Sequence, residues 1–469
     1  MTRKRGSTRQ PNLIIVLIDD LRFDEVGFCG HPYMKTPNID RIGAEGLNFV
    51  NAFHTTPLCS PNRASIVTGQ YASRHGIIDN VAREGLSHRL DNYHRVLQRL
   101  GYVTAHVGKW HMGNSATPRP GYDRWVSFPG HGGIVDPVLN IDGDERQHEG
   151  YVTDLLNAHA LEFIERKHDR PFSLFLAHKA VHPDAFQAPD GTLTPGEGGY
   201  IVAPRHMDLY RGEHFPPRPN VMTVEQALRT KPAFAEAFEL RAKPEGRAVM
   251  DWIQSGSDEE IRLRAAMMAS VDEGVGQIFD SLERQGILEE TVLLFLGDNG
   301  YFFGEHGLGP ERRFAYEEGI RTPFLLRYPR RLGTGERKRM VLALDIAPTM
   351  VDLAGGKARD MATMQGSSLT AFADSDRPKG WRRSFMCEYF SENAMPWLHG
   401  MTYKAVRTER YKYIHWVQKS PTGSEADELY DLVEDPHEMK NLARSRSHAQ
   451  TVAKMRKELG RLVTASLGL

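Results

Sequence analysis

Leu13-Ile14-Ile15-Val16-Leu17-Ile18-Asp19-Asp20 is the stretch that decides the fold: six apolar residues, rich in β-branching and without polar alternation, stop abruptly at two carboxylates. A strand with no polar face is covered on both sides, as in the interior of a parallel sheet. The same grammar returns at Val292-Leu293-Leu294-Phe295-Leu296, followed by Gly297-Asp298-Asn299-Gly300. Residues 103–107 lead likewise into Gly108-Lys109-Trp110-His111, residues 172–177 into His178-Lys179-Ala180-Val181-His182, and residues 323–328 form one more run. Helix-period stretches lie between them, among them 92–100 and 261–285. Strands alternating with helices predict an α/β fold built on a large, mainly parallel sheet sandwiched by helices. In such sheets ligands bind beyond the carboxyl ends of the strands, where these polar clusters sit.

The texture changes after about residue 375. Residues 385–389, 403–408 and 411–417 read as short strands, with Thr408-Glu409-Arg410 as a turn and 449–466 as a terminal helix. We therefore expect an N-terminal domain over 1–375 and a smaller C-terminal subdomain, with an antiparallel sheet, over 376–469. Residues 183–202, heavy in Gly and Pro, read as an irregular loop that shapes access to the site.

Lys and Arg number 59 against 60 for Asp and Glu, so no global field points to nucleic acid or an anionic membrane, and any anion selectivity must be local. The cysteines, Cys29, Cys59 and Cys387, are too few and too scattered for a disulfide framework or a thiolate zinc site. Arg3, Lys4, Arg5 and Arg9 precede an apolar run too short for a signal peptide, and no run is long enough to span a membrane. A cytoplasmic location is the expectation, or a periplasmic or secreted one if the N-terminus has been trimmed.

Asp19, Asp20, Asp298 and Asn299 offer hard oxygen ligands at the ends of two strands. Three carboxylates brought together repel unless a cation lies between them, and calcium or magnesium suits such ligands better than zinc. Either pair alone reads equally well as an exposed strand-to-loop turn; two pairs in one architecture favour metal.

Cys59-Ser60-Pro61-Asn62-Arg63, read in isolation, is a buried cysteine near a proline turn. It also resembles the C-x-P-x-R signature of the type I, formylglycine-dependent sulfatases of the alkaline phosphatase superfamily. The likeness continues through Thr68-Gly69-Gln70, Thr36-Pro37-Asn38-Ile39-Asp40, Gly304-Glu305-His306-Gly307-Leu308 and Tyr316-Glu317-Glu318, and reaches Glu428-Leu429-Tyr430-Asp431-Leu432 and Asp435-Pro436 near the end.

That resemblance implies an alkaline phosphatase-like fold, a catalytic N-terminal domain, and a calcium ion, or magnesium in its place, on Asp19, Asp20, Asp298, Asn299 and residue 59. It implies that a separate formylglycine-generating enzyme oxidises Cys59, and that the hydrated aldehyde attacks the sulfur of a sulfated carbohydrate or other sulfate ester. By the same likeness Arg63 holds the diol and the carboxylates, Lys109 and His111 anchor it and take its proton, and His182 contacts sulfate and protonates the departing alcohol. His178 caps or packs, and His306 is structural first.

One departure stands out, because the lysine usual after Gly307-Leu308 is missing from Gly309-Pro310-Glu311-Arg312-Arg313. Counting back from Tyr316 puts Arg312 there; counting forward from Leu308 puts Glu311 there. Sulfate needs a cation, which favours Arg312; a permanently protonated arginine then leaves His182 as the principal general acid. Trp397, His399 and Arg407 are candidates to reach the site from the C-terminal subdomain. Two rival readings are a phosphonate or phosphate-ester hydrolase of the same superfamily and a non-catalytic sulfoglycan-binding homologue.

Overall fold

The computed structural model describes residues 10–196, 198–392, 394–417 and 426–468; the basic residues Arg3, Lys4, Arg5 and Arg9 lie outside them. Asn12–Ile18 is an inner strand of a ten-stranded sheet. Thr291–Gly297 flanks it on one side; on the other come Phe172–Ala177, Val103–Gly108 and Arg124–Ser127, and all five strands run parallel. The register pairs Ile18 with Gly297, Leu17 with Ala177, and Ala177 with Gly108. Four strands therefore stop at one level, and the polar residues that follow them meet in one place.

Both faces of the first strand are buried, as its composition requires. Ile14, Val16 and Ile18 join a core with Leu156 and Phe163 of the helix Val152–Glu165 and Met268 and Val271 of Asp258–Arg284. Leu13, Ile15 and Leu17 join the opposite core with Ile66, Leu97 and Met350. The expected helices over 92–100 and 261–285 form as Tyr93–Arg99 and Asp258–Arg284. Their N-termini are set by Asn92 and Ser257, whose side chains accept from the backbone N–H groups of Arg95 and Glu260.

The sheet is more mixed than expected. Phe324–Arg327 runs antiparallel to Thr291–Gly297, and Val138–Ile141 and Asp144–Gln147 are antiparallel additions at the far edge. The chain from 298 to 323 stays over the carboxyl ends of the strands, so the strand that follows starts there and must run back. Residues 183–202 also carry more order than an irregular loop: Ala185–Gln187 and Leu193–Pro195 pair as a two-stranded ribbon.

Ser384–Tyr389, Tyr403–Thr408, Tyr411–Trp416 and Glu428–Asp431 form a separate antiparallel sheet, with Ala449–Leu467 as the terminal helix. This sheet shares a core with the main body: Phe385, Tyr403 and Trp416 cluster with Phe53, Leu58, Phe302 and Tyr316. No helix among the described residues is long and apolar enough to cross a membrane.

Gly108 sits where the Val103–Gly108 strand turns into the site, at φ +112°, and a Cβ there would lie 1.9 Å from the Ala177 carbonyl oxygen. Gly355, at φ +85°, has nothing within 4 Å of such a Cβ. Gly355→Ala should cost only the left-handed strain, about 1 kcal/mol, whereas Gly108→Ala should cost ~3 kcal/mol or more. Thermal melts of the two variants check this, and equal losses would refute the backbone clash.

Candidate active site

Cys59 is the first residue of the helix Cys59–Thr68, all of whose residues are buried. Its Sγ lies 3.5 Å from Asp19 Oδ1 and 4.0 Å from Asp20 Oδ1. One donor atom from each of Asp19, Asp20, Cys59 and Asp298 falls within 4.8 Å of the others. Arg63 stands one helical turn after Cys59, hence on the same face. Its Nε donates to Asp298 Oδ2 at 2.7 Å, its second terminal nitrogen lies 3.9 Å from Asp19 Oδ1, and its first donates to the Lys109 carbonyl. The spacing of the C-x-P-x-R segment is thus a helical spacing with a geometric purpose.

Asn299 Nδ2 donates to Asp20 Oδ1 at 2.7 Å, which leaves Asn299 Oδ1 buried without a hydrogen-bond partner. Three buried carboxylates beside an unpartnered amide oxygen are a hard-oxygen donor set, and they fit a calcium- or magnesium-sized cation. Burial, then the neighbouring Asp19, pushes the Asp298 carboxyl up to about 7. Burial also raises Asp20 against the pull of Arg312. For Asp19 burial works upward too, but the fixed charges of Lys109 and Arg63 hold it well below the usual carboxylate range.

Lysine and histidines line one side of this acidic cluster. The Lys109 ammonium donates to Asp19 Oδ2 and, at 3.0 Å, to His131 Nδ1, which must therefore be an acceptor. Gln187 Nε2 donates to the Asn80 carbonyl, so its Oε1 faces His111 Nε2 and fixes the proton there; His111 Nδ1 is left as a buried, unpartnered lone pair. His182 Nδ1 donates to the Pro183 carbonyl at 2.8 Å, leaving Nε2 to accept from Arg312 at 3.2 Å. The other end of the Arg312 guanidinium is 3.1 Å from Asp20 Oδ2. Burial, reinforced by Lys109, holds His111 well below the ordinary imidazole range; burial also outweighs Asp19 and holds His182 there.

The ten residues given catalytic or metal-binding roles in the sequence lie in this cluster: Asp19, Asp20, Cys59, Arg63, Lys109, His111, His182, Asp298, Asn299 and Arg312. Between the two registers, the guanidinium of Arg312 faces Asp20, while Glu311 turns away and accepts from Arg313 and the Arg312 backbone. His178 is buried with neither ring nitrogen bonded, and His306 packs on Tyr316. Arg407 does not reach the site, because Glu317 engages its guanidinium at 3.3 Å, and His399 is exposed. Trp397 does reach it, lining with Trp252, Leu193 and Met395 an apolar pocket against His182 and Arg312. Sequence reasoning missed His131 and Gln187. Neither stands in a motif; the only signal is that Gly130, Gly132 and Gly133 surround His131.

Comparison with known proteins agrees with this geometry. Residues 11–356 match the sulfatase family model, and residues 304–465 match the model of the C-terminal region of N-sulphoglucosamine sulphohydrolase. An N-acetylglucosamine-6-O-sulfatase of Bacteroides thetaiotaomicron is 27% identical, over 98% of this chain and 87% of its own. An N-acetylglucosamine-6-sulfatase of Capra hircus is 26% identical, over 94% and 81%. A protein solved in complex with its substrate D-glucosamine-2-N,6-O-disulfate superposes with a TM-score of 0.80 at 26% identity, covering 98% of both chains. With the family model spanning most of its length, this chain belongs to the sulfatase family, within the alkaline phosphatase superfamily.

Proposed function

We propose that the chain is a sulfuric ester hydrolase acting on a sulfated carbohydrate, with a formylglycine made from Cys59 and a bound calcium or magnesium ion. The observation that carries this reading is the sealing of one thiol among three carboxylates, with Arg63, Lys109, His111, His182 and Arg312 around them. Burial, then Asp19, pushes the Cys59 thiol well above its ordinary value, so as a cysteine it would be a poor nucleophile. The names of the relatives and the ligand of the structural neighbour make a 6-sulfated glucosamine-type sugar the first substrate to try.

Asp19, Asp20, Asp298 and Asn299 would hold the ion, which when bound neutralises sulfate charge and lowers the pKa of an oxygen on residue 59. Conversion by a separate formylglycine-generating enzyme would give that residue a hydrated aldehyde, with one hydroxyl to displace at sulfur and another to expel sulfate. Arg63 and Lys109 fix the charges around it. His111, its tautomer set by Gln187, presents the bare Nδ1 lone pair as the base for the second hydroxyl. Arg312 stays protonated and acts on sulfate electrostatically. An anionic substrate would draw Arg312 off His182 Nε2, and its charge beside the ring would favour uptake of a proton from solvent at that nitrogen, which Nε2 then gives to the leaving alcohol.

Coexpression with a formylglycine-generating enzyme should remove about 18 Da from the peptide holding Cys59. The converted protein should hydrolyse N-acetylglucosamine 6-sulfate, and should prefer a phenyl sulfate to the matching phenyl phosphonate; Cys59→Ala should do neither. Converted protein that binds the sulfated sugar without turnover, or that prefers the phosphonate, would defeat the proposal. Gln187→Leu should lower kcat ~10–100-fold with little change in KM, as expected when the partner that orients a base is lost. Chelation should abolish turnover and lower the melting temperature by several degrees or roughly so, both restored by calcium or magnesium, since a ligand of the folded state stabilises it; an unchanged melt would argue against a bound ion.

A further inference from the structure

His131 follows the Arg124–Ser127 strand in a glycine-rich turn and is only 1% exposed, yet the steps set out above make no use of it. It touches three of the residues those steps use, Lys109, His111 and His182. Its Nδ1 accepts from Lys109 Nζ at 3.0 Å, and its ring lies between those of His111 and His182, with centroids 4.2 and 4.3 Å away. The Lys179 ammonium holds its carbonyl oxygen at 3.0 Å.

From this arrangement we infer that His131 is a positioning residue of the sulfatase site, which aims the Lys109 ammonium and spaces the two working histidines. An ammonium carries three N–H bonds in fixed tetrahedral directions. One goes to Asp19 and one to His131, so the direction of the third is settled, and it is the one left for residue 59 or sulfate. Without the second partner the ammonium turns freely about its bond to Asp19. The role requires an uncharged imidazole, because a protonated ring would repel Lys109. The hydrogen bond itself meets this requirement, since an Nδ1 that accepts from an ammonium carries no proton.

The inference rests on the sulfatase reading, and the experiment separates the two. Wild type, His131→Ala and His131→Asn are compared with conversion of Cys59 verified in each, by kcat and KM on a sulfate ester and by thermal melting. The Asn Oδ1 stands as many bonds from Cβ as the imidazole Nδ1 and can accept from Lys109 in its place. Expected is a loss of ~10–100-fold in kcat for His131→Ala with KM within about 3-fold, and recovery by His131→Asn to within about 5-fold of wild type. Wild-type kcat in His131→Ala, or equal losses in both variants with unchanged melts, overturns the inference while the reading stands. If His131→Ala does not fold, His131→Asn decides: kcat within about 5-fold of wild type upholds the role and a larger loss overturns it. Wild type that turns over no sulfate ester sinks the reading and the inference together.

Discussion

Asp19, Asp20 and Asp298 are carboxylates with no solvent exposure at all, and burying any one of them unpaired would cost several kcal/mol or roughly that. The protein meets this constraint with three cations, Arg63, Lys109 and Arg312, each supplied by a different segment and each in contact with one of the acids. Much of the architecture serves that pairing. Parallel strands ending at one level deliver the acids and Lys109, a helix that starts at Cys59 delivers Arg63 one turn on, and the excursion after Asp298 delivers Arg312. A hard divalent cation is the natural addition to such a set, because it stabilises the charged forms that burial opposes.

The C-terminal sheet has a part in the same balance. Tyr403 donates its hydroxyl to the Arg313 carbonyl at 2.7 Å, and Glu392 takes the Arg313 guanidinium, while Tyr389 donates to Glu392 at 2.8 Å. The segment that presents Arg312 is thereby tied on its far side to a different sheet. Trp397 and Met395, from the same region, complete the apolar pocket wall. Placement of Arg312 and the shape of the pocket both depend on the smaller sheet.

Much of this was legible in the sequence because the physics behind it is local. A run such as Leu13–Ile18, short and rich in β-branching, reads as a strand covered on both faces, which puts the acids that end it at the sheet's rim. The Cys59–Arg63 segment was legible as a motif, whereas the helix that puts both side chains on one face was not, because the proline at position 61 reads as a turn. The direction of Phe324–Arg327 was not legible, since an apolar run reads the same whichever way it points and only the path of the preceding chain decides. Arg407 shows a related limit: a basic residue on a strand declares its charge but not its partner, and Glu317 claimed it. His131 and Gln187 carry no spacing signal, because they act through tertiary contacts alone, across loops whose course the sequence does not prescribe.

The hydrogen bonds that close the cluster join residues very far apart in the chain: Asp20 to Asp298 across 278 positions, and Asn299 to Asp20 across 279. Such contacts have high contact order, and closing them costs the loop entropy of more than half the chain. No fragment ending before residue 298 contains both halves of the acidic cluster. Any opening that slides Thr291–Gly297 against Asn12–Ile18 by one residue would unpair buried charges before the hydrophobic layers separate. Turnover in this fold would therefore report strand alignment at the middle of the sheet, and would fade on partial unfolding before helix content does.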